Sequence, residues 1–189
     1  MGQPEIHIAL LHYPIVNKAG DIVATAVTNL DIHDNARSSR AYGISSFHIV
    51  TPLDAQIELV TRILSHWQDG FGAKRIPSRV EAMDLVKISR TLDDAVAAVK
   101  GDRDVDPIIV ATSAREVGAI KGYREFREIM MDNSDVPYLV IFGTGYGLAP
   151  EILDRADVIL EPIGTPSDWN HLSVRSAVAI TLDRLLGVY

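Results

Sequence analysis

Short apolar, β-branched runs alternate with helix-period segments along almost the whole chain, and this alternation restricts the fold more than any other feature. Ile6–Leu11, Ile22–Val27, Phe47–Val50, Val86–Ser89, Pro107–Ala111, Pro137–Phe142 and Val158–Leu160 read as strands. Between them, Asp31–Gly43 reads as a helix with Asp31 and Asp34 as candidate caps. Asp54 caps a longer helix that places Ile57, Val60, Ile63, Leu64 and Trp67 on one face and stops at Gly70 and Gly72. Lys74–Arg79 reads as a basic, proline-containing loop. Further helices cover Leu92–Val99 behind Thr91, Tyr123–Met131, a short stretch after Pro150, and Leu172–Leu186. Strands that alternate with helices predict an α/β fold with a parallel sheet flanked by helices on both faces. The 189 residues show no internal repeat, low-complexity tract or linker, so a single domain over 1–189 is expected.

Ligands in such sheets bind beyond the carboxyl ends of the strands. The loops that matter are therefore those after Asn29, Ala111, Phe142 and Leu160. Composition narrows the chemistry they can do. With no cysteine there is no disulfide, thiolate metal site or thiol nucleophile. The histidines lack metal-ligand spacing, and no Gly-x-Ser-x-Gly elbow marks a serine hydrolase. A net charge of −7 argues against a protein that coats nucleic acid indiscriminately, yet allows a local basic patch for a phosphate backbone. No apolar run is long enough for a bilayer, and the first residues lack a signal-peptide pattern, so a soluble, cytoplasmic protein is expected.

Four loops carry candidate chemistry. Gly143-Thr144-Gly145-Tyr146-Gly147-Leu148 follows a buried strand, and its alternate glycines let backbone approach a ligand closely. It is neither a P-loop nor a dinucleotide fingerprint, and it follows a late strand rather than the first. Asn29–Arg40 crowds Asp31, Asp34, Asn35, Arg37 and Arg40 at a helix start; the two arginines share a face and suit phosphate, or else form ordinary surface ion pairs. Ala111-Thr112-Ser113-Ala114-Arg115 offers small and hydroxylated residues for a cleft, or a plain turn. Gly164–Ser173 brings Asp168 as a possible general base and His171 as a possible acid, base or helix cap.

Taken in order, these segments resemble the SPOUT class of RNA methyltransferases. The likeness rests on Arg37 six residues before Gly43, on Val140–Leu153 with the strand Val158–Leu160 and Pro162 behind it, and on Asn170-His171-Leu172-Ser173-Val174 leading into an apolar helix. The strings Asp31-Ile32-His33-Asp34 and His171–Ser176 resemble those of a small bacterial family within that class. The resemblance implies an α/β knot, a C-terminal trefoil, and a homodimer with active sites at its interface. It implies S-adenosyl-L-methionine as cofactor, held by Thr112, Ser113, Gly143, Thr144, Gly145, Gly147, Leu148, Ile163 and Leu172. It further implies a tRNA or rRNA substrate, with Arg40 and Arg115 on the RNA and Arg37, Asp168 and His171 as catalytic candidates. The ribose-methylating branch carries an acidic residue where Gly145 stands, Asn where His171 stands and Asn near Asp31, so the resemblance leaves the acceptor atom open. Two other readings remain: a non-catalytic cofactor- or RNA-binding protein of the same fold, and an α/β enzyme that uses a nucleotide or NAD.

Overall fold

The computed structural model describes residues 3–68, 76–118, 120–164 and 169–188. In chain order the strands are β1 (Ile6–Leu11), β2 (Ile15–Val16), β3 (Ile22–Val23), β4 (Ser46–Val50), β5 (Val86–Ser89), β6 (Ile108–Ala111), β7 (Ile120–Lys121), β8 (Tyr138–Gly143) and β9 (Val158–Leu160). The helices are α1 (Asn29–Ala41), α2 (Asp54–Gln68), α3 (Pro77–Met83), α4 (Leu92–Lys100), α5 (Tyr123–Asp132), α6 (Pro150–Leu153) and α7 (Val174–Leu186). Seven strands form one sheet in the order β5-β4-β1-β8-β6-β9-β7, all pairs parallel. The expected parallel α/β sheet is therefore present. Among the described residues, no helix is long and apolar enough to cross a membrane.

Alternation along the central strands builds two cores. Ile6, Ile8 and Leu10 of β1 and Tyr138, Val140 and Phe142 of β8 face α1, α2, α3, α5 and α7. Ala9 and Leu11 of β1 and Leu139 and Ile141 of β8 face α4 and α6. Every residue of β1 is buried, which is why the strand reads as an apolar run interrupted only by His7. The register sets Leu11 opposite both Val50 and Gly143, so β1, β4 and β8 end together and their following loops share one edge.

Local chemistry explains where the elements depart from the expected bounds. Helix α1 begins two residues early, because the Thr28 hydroxyl accepts the Asp31 N–H and acts as the cap. Helix α7 begins at Val174 rather than Leu172, capped by Ser173. Within the expected Lys74–Arg79 loop, Pro77 opens α3, as proline's fixed φ and missing N–H suit a first helical position; residues 69–75, with Gly70 and Gly72, lie outside the described residues. Only Ile22–Val23 of the Ile22–Val27 run is a strand, and it pairs antiparallel with β2 outside the main sheet. Asn17 folds that hairpin by accepting the Ala19 and Asp21 N–H groups. Strand β7 is two residues long, too short to leave a periodic signal.

A polar chain, buried from His7 onward, runs across β1, β4 and β5. Glu5 meets His7 Nε2 at 3.0 Å, His7 Nδ1 meets Ser46 at 2.6 Å, Ser46 meets His48 Nε2 at 2.9 Å, and His48 Nδ1 meets Ser89 at 3.0 Å. Burial pushes His48 down to about 4, helped by His7 and Lys87. Burial also pushes His12, at the end of β1, down to about 4 against the opposing pull of Asp31. The folded chain thus keeps both rings neutral where the unfolded chain, at 6.5, takes up protons. The stability they contribute is complete above pH 6.5 and is lost as pH falls toward about 4. Urea unfolding between those limits is expected to show a midpoint that falls with acidification, and His48→Gln should remove part of that slope while His12, with His7 and His33, which burial also lowers, keeps the remainder. Thr91 makes a full capping box with Asp94 at the start of α4. Thr91→Ala is expected to cost about 1 kcal/mol in the same measurement.

Candidate functional site

A cavity of about 860 Å³ opens at the carboxyl edge of the sheet. This is a size suited to a cofactor-sized molecule. Four segments wall it: Thr25 to Asp31 on one side, Thr112 to Arg115 after β6, Phe142 to Gly147 at the end of β8, and Ile163 with the stretch from Trp169 into α7.

The glycine loop is shaped by its own crowding. Gly145 and Gly147 have φ of 58° and 113°, in the region that side chains avoid. Gly143 has a different constraint: a Cβ there would sit 2.7 Å from Leu148 N and 3.0 Å from Gly147 C, so the loop doubles back directly over it. Backbone bonds then fix the loop to the β2–β3 hairpin. Tyr146 N–H donates to Val16 O at 3.1 Å, Val16 N–H to Gly147 O at 3.0 Å, and Ala149 N–H to Pro14 O at 3.3 Å. Side chains add a second set. Thr144 Oγ1 donates to Leu11 O at 3.1 Å and meets Thr25 Oγ1 at 2.5 Å, which in turn meets His12 Nδ1 at 3.0 Å. Arg115 donates to Tyr146 O at 3.0 Å and Asn170 to Ala114 O at 2.7 Å, tying the three loops together.

The opposite wall is charged. Asp31, buried at 7% exposure, accepts Arg175 Nη1 on Oδ1 at 3.0 Å and the Thr28 hydroxyl on Oδ2 at 2.6 Å. Arg175 also reaches Asp34 at 3.5 Å. His171 stands at the exposed rim with its ring edge-on to Trp169, centroids 4.9 Å apart.

Of the residues singled out from the sequence, Thr112, Ser113, Gly143, Thr144, Gly145, Gly147, Ile163, Leu172, Arg115 and His171 all line this one cavity. Leu148 does not: its side chain is 5% exposed and packs into the core beneath the loop. Arg37 is on the exposed face of α1 and is not part of the lining. Arg40 is paired with Glu81 at 2.9 Å on the surface. Asp168 lies outside the described residues. Sequence reasoning named Asp31 without placing it in the cleft, and it passed over Thr25, Ala26 and Arg175 as site residues. Arg175 stands four residues after His171 in a string already conspicuous, but nothing in its spacing points to a partner on α1.

The residues suit the methyl donor. Phe142, Ile163, Leu172, Val174 and Ala177 line the cavity with apolar surface that a purine would fit, and Thr112, Ser113 and Asn170 line it with polar groups that a ribose and an amino-acid tail would fit. Among the described residues, no group of three His, Asp or Glu side chains is placed to hold a metal ion.

Comparison with known proteins agrees with this geometry. An uncharacterized protein of Aquifex aeolicus is 43% identical over 180 residues, covering 95% of this chain and 87% of that one. A tRNA (guanine-N(1)-)-methyltransferase of Oleidesulfovibrio alaskensis is 42% identical over 182 residues, but those residues make up 96% of this chain and only 42% of that protein. The crystal structure of a probable methyltransferase from Bordetella pertussis superposes with a TM-score of 0.65 at 14% identity, covering 96% of this chain and 94% of that one, which shows a shared fold. The model of a family of SAM-dependent RNA methyltransferases matches residues 5–187, nearly the whole chain, and the chain belongs to that family.

Proposed function

We propose that this chain methylates a nucleotide of tRNA or rRNA in the cytoplasm, as a homodimer of knotted SPOUT-type subunits, and that the cavity at the sheet edge holds S-adenosylmethionine. The observation that carries this reading is the convergence of the three loops at Thr112, Gly143 and Ile163 on one cavity of cofactor size. When bound, the donor supplies an electrophilic methyl group on a sulfonium. The glycine loop, whose positive φ angles Gly145 and Gly147 permit and whose bonds to Val16 hold it in place, would present backbone close to the ligand. Thr112 and Ser113 provide hydroxyls, and Ile163 and Leu172 provide apolar surface. Holding two reactants in line is worth up to about 7–11 kcal/mol of a barrier.

The tRNA part of the proposal draws on the Oleidesulfovibrio relative, more than half of whose length lies outside the match. The dimer is supported by the placement of Arg37, Arg40 and the apolar rim. Trp169 and Leu172, at 75% and 46% exposure, stand at the cavity, the kind of surface a second copy would cover. Arg37 is outside the cavity of its own chain, so a partner subunit is the route by which it reaches a reacting nucleotide. Arg40 and Arg115 are assigned to the RNA backbone, and Asp168 and His171 are the candidates for proton handling that the sequence offers. A binding protein that transfers nothing is the second reading, and Gly145, where the ribose-methylating branch carries an acid, favours it.

Calorimetry with S-adenosylhomocysteine is expected to give saturable binding at one site per chain. Gly143→Val, whose side chain collides with the Leu148 backbone, should abolish it. Absence of binding to the folded native protein would reject the donor site. Arg37→Ala is expected to keep that affinity and to slow methyl transfer to bulk tRNA or rRNA by about 10²-fold or more. Native turnover in this variant would remove Arg37 from the mechanism.

A further inference from the structure

The wall of the cavity opposite the glycine loop contains a group to which the resemblance gives no role. We infer that Asp31 is the proton acceptor for the nucleotide being methylated; the inference rests on the donor-site reading above. Methylation of a ribose hydroxyl or a ring N–H requires that the acceptor lose a proton, and a group within hydrogen-bond reach of the reacting atom has to take it.

The titratable side chains among the described residues of the lining are Asp31, Arg115, Tyr123, Tyr146 and His171. Arg115 carries no lone pair to accept with and is already committed to Tyr146 O. Tyr123 is a buried phenol whose burial raises it further, with its hydroxyl 3.2 Å from Thr181. Tyr146 is exposed and, like Tyr123, offers a phenol O–H rather than a carboxylate. His171 is at the exposed rim, on a strandless stretch before α7. Asp31 is the one carboxylate in that set, and it is the best held. It belongs to the first turn of α1, and each of its oxygens accepts one bond, from Arg175 and from Thr28. A carboxylate oxygen has two lone pairs, so both oxygens keep one for a further donor. Those two bonds fix the orientation of the carboxylate without using up its capacity, the arrangement expected of a pre-positioned base.

The step balances without any other reagent. The acceptor O–H or N–H bond breaks and its proton passes to an Asp31 oxygen. The electron pair left on the acceptor forms the bond to the methyl carbon. The methyl–sulfur bond breaks with its pair remaining on sulfur, which becomes a neutral thioether.

The test compares native protein, Asp31→Asn and Asp31→Glu in single-turnover transfer of tritiated methyl from S-adenosylmethionine to unfractionated bacterial tRNA and rRNA. Asparagine keeps the shape and an oxygen for Arg175 but gives up the basic site. Asp31→Asn should bind S-adenosylhomocysteine by calorimetry within twofold (about) of native and transfer about 10²–10⁴-fold more slowly. Asp31→Glu, which keeps a carboxylate opposite Arg175, should recover part of that rate. Digestion of the product to nucleosides tells a ribose-methylated from a base-methylated acceptor, and loss of either in Asp31→Asn supports the role. A native rate in Asp31→Asn, equal rates in the two variants, or weakened homocysteine binding in Asp31→Asn would each overturn the assignment. Donor bound but nothing transferred by native protein overturns it together with the catalytic reading. Failure of native protein to bind S-adenosylhomocysteine is a different result, and it strikes the donor site itself.

Discussion

The backbone bonds between the glycine loop and the β2–β3 hairpin are the constraint on which the site depends. A loop with alternate glycines has many conformations in isolation, and ordering it costs more entropy per residue than ordering any other composition. Val16 answers that cost from both sides, accepting from Tyr146 and donating to Gly147. Thr144 then joins the loop to the end of β1 and, through Thr25, to a neutral His12. The cleft is thus held open by a small piece of antiparallel structure outside the main sheet. Its function is positional: the hairpin contributes little to either core, yet it fixes one loop of the cavity.

The sheet and its ligand-binding edge were legible in the sequence because both depend on local pattern. Buried parallel strands read as apolar runs, and helices read as 3.6-residue periods with caps. The loops after Ala111, Phe142 and Leu160 could be chosen from topology alone, and all three line the cavity. Nothing local revealed that Ile22–Val27 would be diverted into a hairpin, since its composition suits a sheet strand and a hairpin equally. Pro77 was read as a loop residue although proline serves equally well at a helix start. Leu148 was grouped with the loop by adjacency, whereas its side chain turns inward against Ala149 and Ile152 as part of the second core. The pairing of Asp31 with Arg175 was invisible for a different reason: it joins groups separated by 144 positions, and no periodicity reports such a contact.

Charge arrangement reconciles an acidic protein with a polyanionic substrate. Many surface charges are matched in pairs such as Arg62–Glu58, Arg90–Asp54 and Lys121–Glu125, and the net charge of −7 is the acidic excess over all such pairing. Exposed pairs of this kind contribute little to stability. They do leave fewer unmatched cations to attract RNA indiscriminately, so recognition falls to the few cationic groups near the cleft.

The bridge between α1 and α7 also bears on how the site comes into being. Translation delivers roughly 5–20 residues per second, so several seconds or more separate the emergence of Asp31 from that of Arg175. Until β8 emerges β1 lacks its neighbour in the sheet, and throughout the interval α1 has no complete α7 to pack against. The cleft is therefore completed only once α7 has emerged, and a ribosome-bound chain that has not yet exposed α7 has no completed pocket with which to engage RNA.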